Sequence, residues 1–413
     1  AREAYVVDYV DAAGHRHIKT FERKKDALAY EASVKVDVAS GVHVAPSKSV
    51  TVAAAGEKWL AACEAAELER TTIASYRGHL NLHVLPYLGR VRLSELTVAL
   101  IRDWQDKLRN GTPAPGSTEA APRSADMVRR VTRSLGTLLA DAMERGSVGQ
   151  NVVHALVSNR RGKDRKALKR AKGKLKIGVD IPEPDEIRSI LACATGKWRP
   201  FLMVATFCGL RASEIRGLRW CDIDFKKGEI HVQQRADRFN EIGVPKSESG
   251  ERTIPVPAAT LAALREWKMV CPRRDTGRKD ANGKPVKELH FVFPNGRGEV
   301  ENYSNVMKRG VNPTQVAAGV SVLATDDNGA RILDKKGKPV RKAKYGLHGF
   351  RHFYASWCIN RKADGGLELP LKLVSERLGH STIALTADTY GHLFKRGDDT
   401  SELTIGERLL LSQ

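Results

Sequence analysis

The sequence predicts a multidomain protein that is mainly α-helical and carries small β-sheets. A chain of 413 residues is longer than a typical single domain. Apolar residues recur at helical spacing along much of it, whereas the alternation typical of strands is confined to short stretches. Pro46 with its neighbouring serines and a strongly basic run mark boundaries. We therefore expect four parts, which span residues 1–45, 46–155, 156–180 and 181–413.

The first part is predicted to be a hairpin followed by one helix. Residues 4–22 alternate apolar and polar side chains around a turn at Asp11–Gly14. The following stretch places Ala27, Tyr30 and Val34 on one helical face. A sheet this small with one helix encloses little core, so we expect this part to bind a ligand. The alternative is an accessory subdomain without a ligand.

The second part is predicted to be a compact all-α domain. Pro86 is expected to follow the end of its second helix, and Ser124 is expected to cap the fourth. The four helices are indicated by apolar repeats at Val52, Ala55, Trp59 and Cys63, at Ile73, Tyr76 and Leu80, at Val98, Ile101, Trp104 and Leu108, and at Val128, Val131, Leu135 and Leu138.

The third part is a basic linker. Residues 159–176 hold ten basic residues against one acid, Asp164. Such a run is usually a solvated linker. Because this run lies between two domains of a basic protein, we expect it instead to lie along DNA. Each phosphate that it neutralises would make the binding affinity depend more steeply on salt concentration. The predicted nucleic-acid-binding residues are Arg160, Arg161, Lys163, Arg165, Lys166, Lys169, Arg170 and Lys172.

The overall charge limits the class of partner. Lys and Arg number 69 against 48 acids, which gives a net charge of +21. This balance favours nucleic acid first and an anionic membrane surface second, although a basic surface can also be inert. The six cysteines form no Cys-x-x-Cys pair, so no zinc ribbon or disulfide framework is indicated and a reducing cytoplasm fits. We expect no secretory leader and no helix that crosses a bilayer.

The fourth part is expected to combine helices with a small sheet. Pro184 or Asp185 can open its first helix, and "EIHVQQ" and "RTIPVP" are typical of strands. Two polar stretches rich in Gly and Lys, residues 272–287 and 325–344, look like insertions.

The stretch "FCGLRASEIRGLRW" provides the first candidate site residue. An apolar helix over Phe201 to Phe207 would be ended by Gly209, and Arg211 then precedes a new helix. Glu214 lies three residues on and can hold the arginine. An arginine at such a junction is most often a surface residue, but one fixed in this way offers a planar fork that suits phosphate oxygens.

Two further stretches carry basic candidates. Residues 244–256 are predicted to form a hairpin with Lys246 at the end of its first strand, where the ammonium is either solvated or a proton donor. In "GLHGFRHFYASWC", His348 and Arg351 share one face of a predicted helix. His352 follows His348 by four residues, as in a metal pair, but Gly349 occupies the position at which zinc proteases have Glu. We expect no metal site.

The stretch "LGHSTIALTADTYGHLF" places His380 ten residues before Tyr390. A tyrosine at one such position would more often belong to the core or the surface. At neutral pH only about one phenol in a thousand is ionised, so a nucleophilic tyrosine needs cationic neighbours or a base.

Together these motifs resemble the tyrosine recombinases, the integrases of phages and mobile elements, over nearly the whole chain. The specific segments are "GLRASEI", "LHGFRH" and "LGHSTIALTADTYGHL", in that order, with the Lys246 stretch after the first. Two positions depart from the family pattern. The chain has Asn151-Val152 where the family often has Asn-Pro, and residues 325–344 lengthen the distance to the His348 motif.

The resemblance implies a role for each candidate. Arg211 and Arg351 would clamp the scissile phosphate, Glu214 would support Arg211, and Lys246 would protonate the leaving 5′-oxygen. His348 would assist proton transfer, His380 would bond the phosphate, and Tyr390 would form a 3′-phosphotyrosyl link.

The resemblance also implies the domains and partners. The first part would bind arm-type DNA sites, the SAM-like helical part would bind core-type sites, and the last would be the α+β catalytic domain. Double-stranded DNA, a homotetramer with the C-terminal tail docked in trans, and an accessory excisionase or DNA-bending protein follow as partners. No cofactor is expected, in agreement with the lack of a GxxxxGK[ST] loop. The alternatives are a type IB topoisomerase and a catalytically silent DNA-binding regulator.

Overall fold

The structure is a computed structural model that describes residues 4–10, 14, 16–39, 49–158, 174–245, 247–326 and 329–393, and the isolated positions 404, 407, 408 and 411. The described residues fall into two compact units, one within residues 1–172 and the other within residues 173–413. The four-part division stays a prediction. Within the described ranges, no helix is both long and apolar enough to cross a membrane.

The chain begins with the expected hairpin and helix. Strands β1 (Tyr5–Val10) and β2 (Arg16–Phe21) pair antiparallel, with Val7 opposite Lys19. Helix α1 (Lys24–Ala39) packs its Tyr30 ring 5.1 Å from that of Phe21. The prediction of a hairpin followed by a helix is confirmed.

From residue 49 to residue 158, the first unit is mainly helical. Its helices are α2 (Val52–Ala65), α3 (Arg70–His79), α4 (Leu85–Leu88), α5 (Val98–Asn110), α6 (Ala125–Glu144) and α7 (Val152–Ser158). Ser124 caps α6 as predicted, since its hydroxyl accepts a bond from the Met127 amide at 3.2 Å. The core of this unit includes Trp104, Ile101 and Leu138.

Two features of this unit were not predicted. Helix α3 ends before Pro86 as expected, but a π-helical turn (Leu80–Val84) leads from it directly into α4, whose first turn contains Pro86. Proline is tolerated there because backbone amides in the first turn of a helix have no acceptor within the helix, so the amide hydrogen that proline lacks is not missed. Helix α7 was not predicted. It begins after the buried Asn151, whose side chain accepts a bond from Val153 N at 3.1 Å and donates to Gly136 O at 2.8 Å.

The second unit is built around helices. They are α8 (Pro184–Cys193), α9 (Trp198–Phe207), α10 (Ala212–Gly217), α11 (Ala258–Val270), α12 (Tyr303–Asn305), α13 (Asn312–Ala317), α14 (Leu347–Ile359), α15 (Leu371–Leu378) and α16 (Ile383–Tyr390). Helix α14 packs against both α9 and α15 and buries Phe350 and Tyr354, so it links the two sides of the core.

A small sheet supports these helices. It has the order β3 (Ile223–Asp224), β4 (Glu229–Val232) and β7 (Arg252–Pro255), and Ile230 faces Ile254 inside the core. The two strands predicted from "EIHVQQ" and "RTIPVP" are thus confirmed.

The hairpin predicted over residues 244–256 is wrong. Strand β7 pairs with β4, whereas β6 (Ile242–Gly243) pairs with β5 (Arg235–Ala236). The buried Ile254 needs an apolar partner, and β4 supplies one, whereas Ile242 of β6 is exposed.

The two polar stretches form exposed hairpins. The first consists of β8 (Arg274–Lys279) and β9 (Pro285–Glu288). The second stretch ends in β11 (Arg341–Ala343), which pairs with β10 (Ser321–Leu323) just before the stretch. Neither contributes a strand to the central sheet.

Candidate active site

A tight turn places Arg211 in front of helix α10. Helix α9 ends at Phe207, and Gly209 then adopts a left-handed conformation with φ of 61°. A Cβ at Gly209 would lie 2.3 Å from the Tyr354 ring, so both the backbone conformation and the close packing require glycine. The turn thereby fixes where the Arg211 side chain starts.

Glu214 holds Arg211 as the sequence predicted. The Arg211 Nη1 atom donates to Glu214 Oε1 at 2.7 Å, and the Arg211 amide donates to Glu214 Oε2 at 2.8 Å. The carboxylate is only 2% exposed, whereas the arginine side chain is 36% exposed. The guanidinium is therefore fixed from the protein side while part of it faces solvent.

A second arginine, Arg252 at the start of β7, shares this carboxylate. Its Nη2 atom donates to Glu214 Oε2 at 2.9 Å, and its Nη1 atom donates to Glu214 Oε1 at 3.2 Å. Sequence reasoning missed this residue. The sequence could have indicated it, because Arg252 is the one charged residue in the strand stretch "RTIPVP" that follows the Lys246 motif.

These contacts determine the charge of Glu214. Burial alone would raise the pKa of Glu214, but the hydrogen bonds and positive charges of Arg252 and Arg211 outweigh it and hold the pKa below its ordinary value. Glu214 is thus a permanently ionised anchor for two arginines at neutral pH.

We expect Glu214→Gln to destabilise the unit by about 3 kcal/mol at pH 7, because it leaves two buried or half-buried cations unpaired. Since the folded pKa of Glu214 lies below 4.5, its contribution is complete above about pH 4.5 and is lost as the pH falls through the folded value. The difference in unfolding free energy between wild type and variant should therefore shrink below that pH. Denaturant titrations from pH 3 to pH 7 measure it.

Glu301→Gln is the matched control, because Glu301 is also a buried carboxylate that accepts a bond from Lys197 Nζ at 2.8 Å. It should lose stability without losing DNA cleavage, whereas Glu214→Gln should lose both. A pH-independent difference for Glu214→Gln would contradict the assigned charge.

Arg351, on α14, is almost completely buried. Its Nη1 atom donates to Gly209 O at 2.6 Å, and its Nη2 atom donates to Leu378 O. Burial, followed by the neighbouring charge of Arg211, lowers the pKa of Arg351 to about 9. An anion placed beside Arg211 and Arg351 would relieve this repulsion, so the pair is suited to bind one.

The C-terminal end of helix α15 joins the three arginines. Arg252 Nε donates to Arg377 O at 2.7 Å, and Arg211 Nη2 donates to Gly379 O at 2.7 Å. With the bond from Arg351 to Leu378 O, three successive carbonyl oxygens each accept from a different guanidinium. Carbonyls in the last turn have no partner within their helix and form the negative end of its dipole. This helix end thus fixes the arrangement of the cations.

The two predicted histidines lie in the same electrostatic environment. His380 Nδ1 is 2.8 Å from the buried Thr386 Oγ1, so Nε2 is the nitrogen that can reach a substrate. Burial, then the charges of Arg351 and Arg211, lower the pKa of His380 to about 4 and also lower the pKa of His348. Both imidazoles are therefore neutral at pH 7 in the DNA-free protein.

Tyr390 ends helix α16 and is 2% exposed. Its hydroxyl is 2.8 Å from His352 Nδ1, and the His352 ring lies 4.4 Å from the His348 ring, centroid to centroid. Burial raises the pKa of Tyr390 to about 12, although the charge of Arg351 acts in the opposite direction. The contact with His352 was not predicted.

The structure thus brings six of the seven predicted catalytic or supporting residues into one region of the second unit. Lys246 lies outside the described residues, as do the predicted linker contacts Arg160, Arg161, Lys163, Arg165, Lys166, Lys169, Arg170 and Lys172. Most of the C-terminal tail lies outside them too. In the part of the chain that the structure describes, no three His, Cys, Asp or Glu side chains group as metal ligands do.

Comparison with known proteins places the chain in a family. The phage integrase family matches residues 182–396, more than half of the chain. The N-terminal SAM-like domain of phage integrases matches residues 51–109. The chain is 24% identical over 400 residues to the tyrosine recombinase XerC-like protein of Caldanaerobacter subterraneus subsp. tengcongensis, covering 93% of this chain and 90% of that protein. It is 25% identical over 394 residues to an integrase of Streptomyces ambofaciens, covering 92% and 86%.

Solved structures show the same fold. The Tn1549 transposon integrase in complex with transposon right end DNA aligns with a TM-score of 0.58 at 18% identity, covering 87% of this chain and 100% of that one. A lambda integrase dimer bound to a COC′ core site aligns with a TM-score of 0.54 at 16% identity, covering 95% of each chain. The fold is that of the tyrosine recombinases, and the chain belongs to the phage integrase family.

Proposed function

We propose that this integrase-family chain is a site-specific DNA recombinase that integrates or excises a mobile element through a 3′-phosphotyrosyl intermediate. The arrangement at the end of helix α15 carries the proposal. The guanidinium groups of Arg211 and Arg351 donate hydrogen bonds to adjacent carbonyl oxygens there. The positive charge of Arg351 also acts on the hydroxyl of Tyr390 and favours its ionisation. A phosphodiester is the anion that this combination of cations and nucleophile suits.

The proposed reaction rests on these positions for the described residues and on the family resemblance for Lys246. Arg211 and Arg351 bind the non-bridging oxygens of the scissile phosphate, and His380 donates to the same group through Nε2. The Tyr390 oxygen attacks phosphorus while the bond to the 5′-oxygen breaks, and Lys246 supplies the proton to that oxygen. The resemblance also gives His348 a part in proton transfer. A 5′-hydroxyl of another strand then reverses the step and releases the tyrosine.

The fixed cations provide most of the expected rate acceleration. Negative charge builds on the phosphate oxygens in the transition state, and donors held in place beforehand stabilise it without reorganisation. Each donor of this kind typically contributes about 10²–10³ in rate. The ester conserves the energy of the cleaved bond, so the proposed reaction requires neither ATP nor another cofactor.

The proposed partners extend beyond the catalytic unit. Core-type DNA would contact the helical part, arm-type DNA the N-terminal hairpin, and the basic linker the DNA between them. Lambda integrase, a structural relative with a TM-score of 0.50, was solved as a tetramer bound to a Holliday junction. A homotetramer with tails docked in trans, aided by an accessory excisionase or DNA-bending protein in the cytoplasm, is the corresponding proposal for this chain.

Covalent trapping tests the proposed function. The substrate is a suicide-nicked duplex taken from DNA that flanks the coding gene, where integrases often have their attachment site. The wild-type protein should form an adduct that resists denaturation, and peptide mass spectrometry should locate the nucleotide on Tyr390. An adduct on another residue would contradict the site assignment. If no adduct forms on DNA that the protein binds, the chain would instead be a silent regulator.

Supercoil relaxation separates the recombinase from the topoisomerase. A recombinase should exchange strands only between an attachment site and its partner site. Efficient relaxation of plasmids that lack any site would favour the type IB topoisomerase.

A further inference from the structure

The hydroxyl of Tyr390 contacts a histidine that the family resemblance does not single out. The hydrogen bond joins Tyr390 Oη to His352 Nδ1 at 2.8 Å, and the two ring centroids lie 5.6 Å apart. His348, to which the resemblance gives a part in proton transfer, packs edge to face against His352. His352 therefore lies between His348 and the nucleophile.

Helix geometry explains why His352 takes this position. His348 and His352 are four residues apart on α14, so their side chains share a face one turn apart. The later histidine is the one whose ring reaches Tyr390 on α16. Both partners are sheltered, because Tyr390 is buried and His352 is half-buried. Water thus competes little for the bond between them.

Removal of the phenolic proton is the difficult part of the attack. Burial keeps the pKa of Tyr390 near 12, so almost none of it is ionised at neutral pH. Burial, with His348 and Arg351 next in importance, lowers the pKa of His352 to about 4, so its Nδ1 can hold a lone pair directed at the hydroxyl. The groups that act on His352 are Tyr390 on α16, His348 and Arg351 on its own helix, Asp180 near the start of the unit, and His380 after α15.

We propose that His352, rather than His348, is the catalytic residue that accepts the proton of Tyr390 during DNA cleavage. This inference rests on the proposed function. As the bond between Tyr390 Oη and phosphorus forms, the O–H bond breaks and its proton moves to Nδ1, giving an imidazolium. The phosphorus–O5′ bond breaks in the same step, and the general acid protonates the leaving oxygen. On rejoining, the imidazolium returns the proton to the tyrosine.

The bound substrate makes this transfer easier. In the DNA-free protein, Arg351 disfavours a positive charge on His352. A phosphate bound between Arg211 and Arg351 would neutralise much of that field and raise the pKa of His352. His352 would therefore become a stronger base only when a phosphodiester is bound. In the free enzyme, Tyr390 would stay protonated.

The test compares His352→Asn with His348→Asn on the suicide-nicked substrate under single-turnover conditions. Asn can keep a polar atom close to Nδ1 but cannot accept a proton. His352→Asn should cleave about 10²–10³ times more slowly than wild type, in the range of general-base catalysis. Its rate should rise about tenfold per pH unit from pH 6.5 to 8.5, because the phenolate must form unaided. Wild type and His348→Asn should show a nearly flat profile.

Two results would overturn the inference. The first is a cleavage rate of His352→Asn within about threefold of wild type. The second is slow cleavage by His352→Asn with the same pH profile as wild type, which would indicate that His352 only positions Tyr390. Binding to site DNA checks folding, and the His352→Gln and His348→Gln pair repeats the comparison if an Asn variant does not bind. An absent wild-type adduct would refute the proposed function itself, whereas a normal wild-type adduct with either of these results refutes only the role of His352.

Discussion

Tyr390→Phe is expected to bind its DNA site normally and to form no covalent adduct. The change removes one oxygen, the proposed nucleophile, from a side chain that is otherwise buried in the core formed by α14, α15 and α16. Loss of a covalent nucleophile in other enzymes lowers the rate by up to about 10⁶, so cleavage should fall below detection. Stability should change by only about 1 kcal/mol, because a single hydrogen bond to His352 is lost.

Tyr354→Phe is the matched control, since Tyr354 is an equally buried tyrosine of the same core. It keeps the ring that packs against Gly209 and should still form the adduct. Denaturing gels report the adduct, and gel shifts report binding. An adduct that persists in Tyr390→Phe would show that another residue attacks the DNA.

Arg351→Lys is expected to lower both cleavage and stability although it conserves charge. The guanidinium bonds Gly209 O and Leu378 O at once, and a lysine ammonium cannot match that planar geometry. We expect cleavage to fall about 10²–10³-fold, as for loss of one fixed transition-state donor. The free energy of unfolding should fall by about 2 kcal/mol, because one buried carbonyl loses its partner.

Arg216→Lys separates these two effects. Arg216 is also buried and donates to the backbone, with bonds to Glu301 O at 2.8 Å and Asp237 O at 2.9 Å. It should therefore lose comparable stability while cleavage of bound DNA continues near the wild-type rate. If both variants lost cleavage in proportion to stability, Arg351 would have a structural role only.

The sequence predicted those features of the site that depend on near neighbours in the chain. Arg211 and Glu214 are three residues apart at the start of a helix, and the spacing alone indicates their contact. The left-handed Gly209 was likewise indicated by its place after an apolar helix. Each of these interactions is set by local backbone geometry.

The features that it did not predict depend on distant partners. Arg252 contacts Glu214, and His352 contacts Tyr390, in each case across 38 positions of the chain. Helical spacing paired His352 only with His348, and nothing in that spacing indicated a contact with Tyr390. The pairing of β7 with β4 in place of β6 has the same origin, because the choice of partner strand follows burial in the folded core.

The docking of three arginines on the end of helix α15 has an evolutionary consequence. Their acceptors at residues 377, 378 and 379 are main-chain oxygens, which every amino acid possesses. The half-buried side chain at 377 can therefore change without removing an acceptor, whereas Leu378 is buried in the core and a Cβ at Gly379 would lie 2.8 Å from Ser249 O. Descendants of this chain would inherit the spacing of the cations from the path of the backbone, and selection could remodel the surrounding surface for new DNA targets while the chemistry is retained.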